Sequence, residues 1–171
     1  MSVVTDAQRQ QFEQEGYFVL ESVLDDDTLK LLREECQVAL DRKHAEMDAS
    51  GESSQGITHR GQRYFISHCY KEQPRLRPFL SGELMADICQ ATLGDDAFLF
   101  WEQYVGKGRQ GMKFSWHQDS GYVGDPDHKR YLTCWIALDD MSEENGTVYV
   151  LPFSQVGIRT WVKHERDPET N

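Results

Sequence analysis

A helix-rich first half followed by a strand-rich second half predicts an α+β arrangement or an all-β barrel with helical cladding. Three observations carry this prediction. Leu29, Leu32, Cys36, Ala39 and Leu40 recur at helical spacing and mark one long amphipathic helix. From Ala97 onward the pattern is strand-like, clearest in the apolar runs 131–138 and 147–152. Between those two runs stands Asn145-Gly146, a strong tight-turn signal.

The elements follow in order. Thr5 with Gln8 three residues on is a capping-box start, and the helix it opens should run to about Glu15, with Gly16 as its stop. Tyr17, Phe18, Val19 and Leu20 are expected as a short strand. Asp25, Asp26 and Asp27 open the longer helix, which should reach about Asp48. Its apolar stripe is core, not a binding face. Residues 50–56, rich in Ser and Gly, are expected as a flexible loop, and 63–67 as a strand. Ser81 is expected to cap a helix through Thr92, ended by Gly94. No internal repeat or low-complexity block interrupts the chain.

A chain of 171 residues can bury a real core and fits one domain. The net charge of −11 opposes nucleic-acid binding, which needs a basic footprint. It also disfavours polyanionic ligands unless a local basic patch overrides the global field. Acidity leans the substrate towards a small neutral or cationic metabolite. Cys36, Cys69, Cys89 and Cys134 are dispersed, with no Cys-x-x-Cys pair, as expected of reduced thiols in a cytoplasmic protein. The N-terminus lacks the pattern of a signal peptide, and no apolar run is long enough to span a bilayer, so no membrane partner is expected.

The chemistry-bearing stretch is Trp116-His117-Gln118-Asp119, expected at the end of a strand over 114–119. In a strand, residues i and i+2 point to one face, so an imidazole and a carboxylate two apart can close on one metal ion. They are two thirds of the 2-His-1-carboxylate set that holds non-haem Fe(II) with positions left open. The triplet alone is a weak signal, and by itself it favours a surface His and Asp at a strand end.

Its surroundings sharpen it. Trp116-His117-Gln118-Asp119, Trp135-Ile136-Ala137-Leu138-Asp139-Asp140, Glu144-Asn145-Gly146 and Val150-Leu151-Pro152-Phe153-Ser154 occur in an order and spacing that resemble the phytanoyl-CoA dioxygenase family of Fe(II)/2-oxoglutarate-dependent oxygenases. The family usually has Pro-Gly-Ser-His where this chain has Pro152-Phe153-Ser154-Gln155. The resemblance implies a mainly β fold, a double-stranded β-helix (a cupin-like jelly roll) with N-terminal supporting helices. Residues 1–95 would be the helical support with short strands, and 96–171 the first part of the roll. Such rolls normally need eight strands, and only five or six β segments can be found. The roll is therefore expected to be incomplete at its C-terminal end.

The resemblance also implies the chemistry. His117 and Asp119 would be the catalytic metal ligands, Fe(II) the metal, and 2-oxoglutarate the co-substrate. Oxidative decarboxylation of the 2-oxo acid would drive O₂-dependent hydroxylation of a small-molecule substrate. Related halogenases carry a small residue where Asp119 stands, so Asp119 argues for hydroxylation. Gln103, Gln118 and Trp135 match positions that contact 2-oxoglutarate in relatives. Their plain readings are a strand polar residue, an outward-facing residue between the ligands, and a core aromatic. Trp116 and Tyr122 would shape the pocket or simply pack. Lys107, Arg109 and Lys113 form a basic cluster that would attract a dianionic co-substrate or remain solvated.

The family's distal His, and the Arg that grips 2-oxoglutarate, normally lie beyond position 171. His164 is expected as a solvated loop residue and His128 as part of a charged turn, while His44, His59 and His68 are surface or packing residues. The simplest expectation is a fragment of a longer oxygenase. The alternative is a non-catalytic jelly-roll binding module lacking the third iron ligand. A minor third reading is another cupin-type metalloenzyme, such as an isomerase.

Overall fold

The computed structural model describes residues 2–108, 114–122 and 130–165. Arg109, Lys113 and His128 lie outside the described residues. Five helices are described: α1 (Asp6–Glu15), α2 (Asp26–Ser50), α3 (Arg77–Leu80), α4 (Glu83–Thr92) and α5 (Phe153–Val156). Four strands are described: β1 (Ser54–Gln55), β2 (Thr58–His59), β3 (Arg63–Ser67) and β4 (Gln103–Lys107). They form one antiparallel sheet in the order β1-β2-β3-β4.

The helix ends obey local chemistry. Thr5 accepts from the Gln8 backbone N–H while the Gln8 side chain accepts from Thr5, and Gly16 closes α1 at φ 82° with its N–H on the Phe12 carbonyl. Asp25 caps α2 through the Thr28 N–H at 2.7 Å, and Gly51 ends it at φ 70°. Both starts match the sequence expectation. One cap does not. Gly82, not Ser81, precedes α4, and the Ser81 hydroxyl instead donates to the Arg77 carbonyl at the end of α3. Pro78 favours this extra turn, because proline is tolerated near a helix start.

The core lies between α2 and one face of the sheet. Leu32, Ala39, Tyr64, Ile66, Cys69 and Leu76 are buried together, with Leu40, Tyr104 and Leu138 packed at the edge. The stripe predicted for α2 is thus the core face, although Leu29, Cys36 and Leu40 are only half-buried. Glu35 was not part of that stripe and is buried as well. Its backbone carbonyl accepts from Gln73 at 2.6 Å, and its carboxylate accepts from Gln73 at 3.0 Å and Arg75 at 2.8 Å. The buried charge is tolerated because it is paired and hydrogen-bonded. His44 is a packing residue, its Nε2 2.7 Å from the Tyr64 hydroxyl.

The strand content is lower than the mainly β expectation. Residues 17–20, 114–118, 131–138 and 147–152 are described, but none is in a ladder. A strand needs a partner for its N–H and C=O groups, and apolar alternation alone does not supply one. Val148, Tyr149, Val150 and Leu151 are all exposed, so these segments have no sheet to pack on among the described residues. The supposed loop over 50–56 instead contributes Ser54 and Gln55 to the sheet edge. The Asn145-Gly146 turn does form. A 3-10 turn over Glu143–Asn145 is capped by Ser142 and closed by Gly146 at φ 90°.

Candidate metal centre

His117 and Asp119 converge. The described segment carrying them begins at Phe114, whose ring packs edge-on against Phe65 of β3 at 5.4 Å. Asp119 then opens a 3-10 turn (Asp119–Tyr122), so the pair spans an irregular stretch with a bend at Trp116 and the start of a turn, not one regular strand. The convergence expected from i, i+2 spacing holds nonetheless: His117 Nε2 lies 3.3 Å from Asp119 Oδ1.

Each side chain is held from behind. His117 Nδ1 is 2.7 Å from the Ser115 carbonyl, which requires the proton on Nδ1 and turns Nε2 towards Asp119, where it donates to the carboxylate when the ring is protonated and offers its lone pair to a metal when the ring is neutral. The Thr133 hydroxyl donates to Asp119 Oδ2 at 2.8 Å and leaves Oδ1 facing the imidazole. These are the orienting contacts that metal-ligating His and carboxylate groups commonly make. Two cis donors at about 2.1 Å from a first-row metal lie roughly 3.0 Å apart, so 3.3 Å is close to a chelating separation.

The electrostatics agree. The hydrogen bond to Asp119 raises the His117 pKa above its ordinary value against the opposing effect of burial. The bond from His117 lowers that of Asp119, with Thr133 helping. The side chains are 34% and 47% exposed, so solvent screens their attraction and an incoming cation can reach them. Among the described residues no three His, Cys, Asp or Glu side chains are placed to hold a metal ion together.

His164 is not a solvated loop residue. Its Nε2 accepts the Gln118 backbone N–H at 2.7 Å, and its own N–H donates to the Gly121 carbonyl at 2.8 Å. The Gln118 amide bridges the same strap, donating to the Thr160 carbonyl at 3.0 Å and accepting from the Val162 N–H at 2.8 Å. Trp161 Nε1 donates to the Ser120 carbonyl at 2.8 Å. Residues 160–164 thus lash down the turn that presents Asp119. Sequence reasoning missed this strap, because its partners are more than forty residues apart.

The other candidates are scattered. Gln103 begins β4 and donates to the Ser67 hydroxyl at 2.9 Å. Trp135 is 47% exposed, not core. Tyr122 does border the pair, its ring 5.8 Å from that of His117 and 5.2 Å from that of His164. The surface clefts around α4, lined by Val3, Val23, Leu84 and Asp87, include none of these residues.

The described residues form a helix-backed antiparallel sheet with an imidazole and a carboxylate set close together outside it. The chain belongs to the phytanoyl-CoA dioxygenase (PhyH) family, whose profile matches residues 12–170. It is similar to a 2-aminoethylphosphonate dioxygenase of the uncultured bacterium HF130_AEPn_1, 23% identical over 152 residues, covering 85% of this chain and 56% of the relative. It is also similar to an ectoine dioxygenase of Sphingopyxis alaskensis (strain DSM 13593 / LMG 18877 / RB2256), 25% identical over 160 residues, covering 91% of this chain and 51% of the relative. The chain therefore spans about half the length of these curated relatives. No solved structure gives a significant match.

Proposed function

We propose that the chain is an Fe(II)- and 2-oxoglutarate-dependent dioxygenase domain, a hydroxylase of a small-molecule metabolite, with His117 and Asp119 as metal ligands. The 3.3 Å approach of His117 Nε2 to Asp119 Oδ1 carries this reading, together with family membership. The donor set fits: a mixed imidazole–carboxylate pair suits Fe(II) better than soft thiolates do. Ferrous iron, when bound, would supply O₂ activation coupled to decarboxylation of the 2-oxo acid. The chain's own residues do the positioning. Ser115 fixes the His117 tautomer, Thr133 turns the Asp119 carboxylate, and the strap over 160–164 holds the backbone between them. Gln103, Gln118 and Trp135 are the co-substrate contacts that the family pattern offers, and a cupin-like roll is the fold it offers for the whole domain.

Both relatives are named for small molecules, which supports a small-molecule substrate used with O₂. No described helix is long and apolar enough to cross a membrane. The four free thiols support a reducing, cytoplasmic setting.

The test is spectroscopic. Anaerobic addition of Fe(II) and 2-oxoglutarate to the full chain should give the weak visible charge-transfer band of the chelate. His117→Ala combined with Asp119→Ala should abolish it. Absence of the band from the wild-type chain at saturating iron overturns the reading. A non-catalytic binding module is the second reading, favoured by the two-donor count among the described residues. It expects a folded wild-type chain with no band.

A further inference from the structure

The strap over 160–164 is held at its near end as well as at the Asp119 turn. Helix α5 ends at Gly157, and only Ile158 and Arg159 separate that glycine from Thr160, whose carbonyl accepts from Gln118. Helix α5 is itself seated on the end of α1. The Phe153 ring lies over Gly16: a methyl group added at Gly16 would stand 2.5 Å from the ring Cζ and 2.7 Å from Cε2. Glu15, in the last turn of α1, reaches across so that its Oε2 accepts the Ser154 N–H at 3.1 Å. That N–H is one that a helix start leaves without an internal partner. The Arg159 guanidinium covers the Phe153 ring, its Cζ 5.9 Å from the centroid. Hydrogen bonding to Ser154, with a smaller contribution from the Arg159 charge, holds the Glu15 carboxyl below its ordinary range.

We propose that Phe153 is a positioning residue for the Asp119 turn, clamping α5 to α1 so that the strap stays on Gln118. The clamp rests on the metal-centre reading of His117 and Asp119 for its catalytic meaning. Residues 157–159 form a short tether between the clamp and the strap. A short tether between two fixed points keeps the strap's donors and acceptors at high effective concentration beside their partners, and releasing one end dilutes them. Gln118 stands between the two candidate ligands and is gripped through its N–H by His164 and through its side chain by Thr160 and Val162. Slack in the strap is therefore slack in the angle between imidazole and carboxylate. Ligand constellations work only when held to within about 0.5 Å, so a distant clamp of this kind has leverage on the centre.

The strap can be followed without metal, so the clamp and the oxygenase reading can fail separately. In the metal-free full chain, amide hydrogen exchange at Gln118 and Val162 reports the strap's hydrogen bonds. Exchange in the β3–β4 ladder, where buried Arg63 stands across from Lys107, reports the scaffold. Phe153→Ala should speed exchange at Gln118 and Val162 by about tenfold and leave the ladder unchanged. Gly16→Ala should do the same, and Gly51→Ala should not. Both glycines have positive φ, 82° and 70°, so both substitutions strain the backbone, but among the described residues nothing lies within 4 Å of a methyl group at Gly51. The d–d spectrum of Co(II) bound to the full chain should shift in Phe153→Ala. Unchanged exchange at Gln118 and Val162 in Phe153→Ala or Gly16→Ala, a matching acceleration in the ladder or in Gly51→Ala, or a Co(II) spectrum identical to that of wild type overturns the clamp. A wild-type chain that binds no Co(II) overturns the metal reading instead, and the exchange rates alone then decide whether Phe153 holds the turn.

Discussion

Gly121 and His164 are fitted to each other: a methyl group added at Gly121 would lie 2.6 Å from His164 Nε2 and 2.7 Å from its Cγ. The missing side chain lets the imidazole lie against the turn and accept the Gln118 N–H. Gly121→Ala should therefore expel the ring and loosen the Asp119 turn. Overpacking of this kind costs about 1–3 kcal/mol. In a His164→Ala background the same change should cost little, because the clashing ring is gone. A double-mutant cycle by denaturant unfolding, read alongside Co(II) affinity, checks this. Additive effects would show that the two residues are not coupled.

Proton competition at the candidate centre has a defined sign. The folded pKa of His117 is raised above 6.5, so its contribution to stability is full below that value and is lost as pH rises through the folded value. The folded pKa of Asp119 is lowered below 3.8, so its contribution is present above that value and is lost as pH falls through the folded one. The metal-free pair is therefore strongest at mildly acidic pH. Metal binding must displace the His117 proton, so Co(II) affinity should rise with pH until His117 is neutral. An NMR titration of the His117 ring in wild type and Asp119→Asn should show the pKa fall in the variant. An unchanged value would remove Asp119 as its cause.

Burial pushes the Cys36 thiol up to about 12 and the Cys69 thiol up to about 11. Thiolate is the reactive form, so both should resist alkylation at pH 8 in the folded protein and react freely in denaturant. Peptide mapping after iodoacetamide treatment reads this directly. Modification of Cys69 at the rate of the unfolded chain would contradict the packing of α2 on the sheet.

Glu35→Ala strips Gln73 and Arg75 of one buried carboxylate. Gln73 is itself 5% exposed, so its amide loses an acceptor that water cannot easily replace. The expected loss is about 2–3 kcal/mol, below that of a fully buried ion pair because Arg75 is half exposed. Glu35→Gln should cost less, since it keeps an acceptor. Equal midpoints for wild type and Glu35→Ala in urea would mean that the cluster contributes nothing.

Much of the scaffold was legible in the residues. The Thr5–Gln8 box, the Asp25 cap, the Gly16 stop and the α2 stripe depend on neighbours within one or two turns, and β3 on a five-residue pattern. The proximity of His117 and Asp119 was legible for the same reason, although the turn at Asp119 replaces the expected strand. Sequence signals failed where the partner is distant. Residues 131–138 and 147–152 carry strand composition, but composition cannot name a ladder partner. Thr133 on Asp119 and His164 on Gln118 had no signal, since neither lies near its partner in the chain.

By itself, then, the chain's order of residues determined the caps of α1 and α2, the core stripe, the family and the imidazole and carboxylate that stand side by side. Only the tertiary structure decided that β3 pairs with β4, that Arg63 is buried across from Lys107, and that residues 160–164 bind the Asp119 turn. Local choices follow from backbone geometry and side-chain period within a short window. Distant ones are decided by which buried groups find a hydrogen-bonding partner once the chain has closed on itself, and that cost and gain are not written in any single segment.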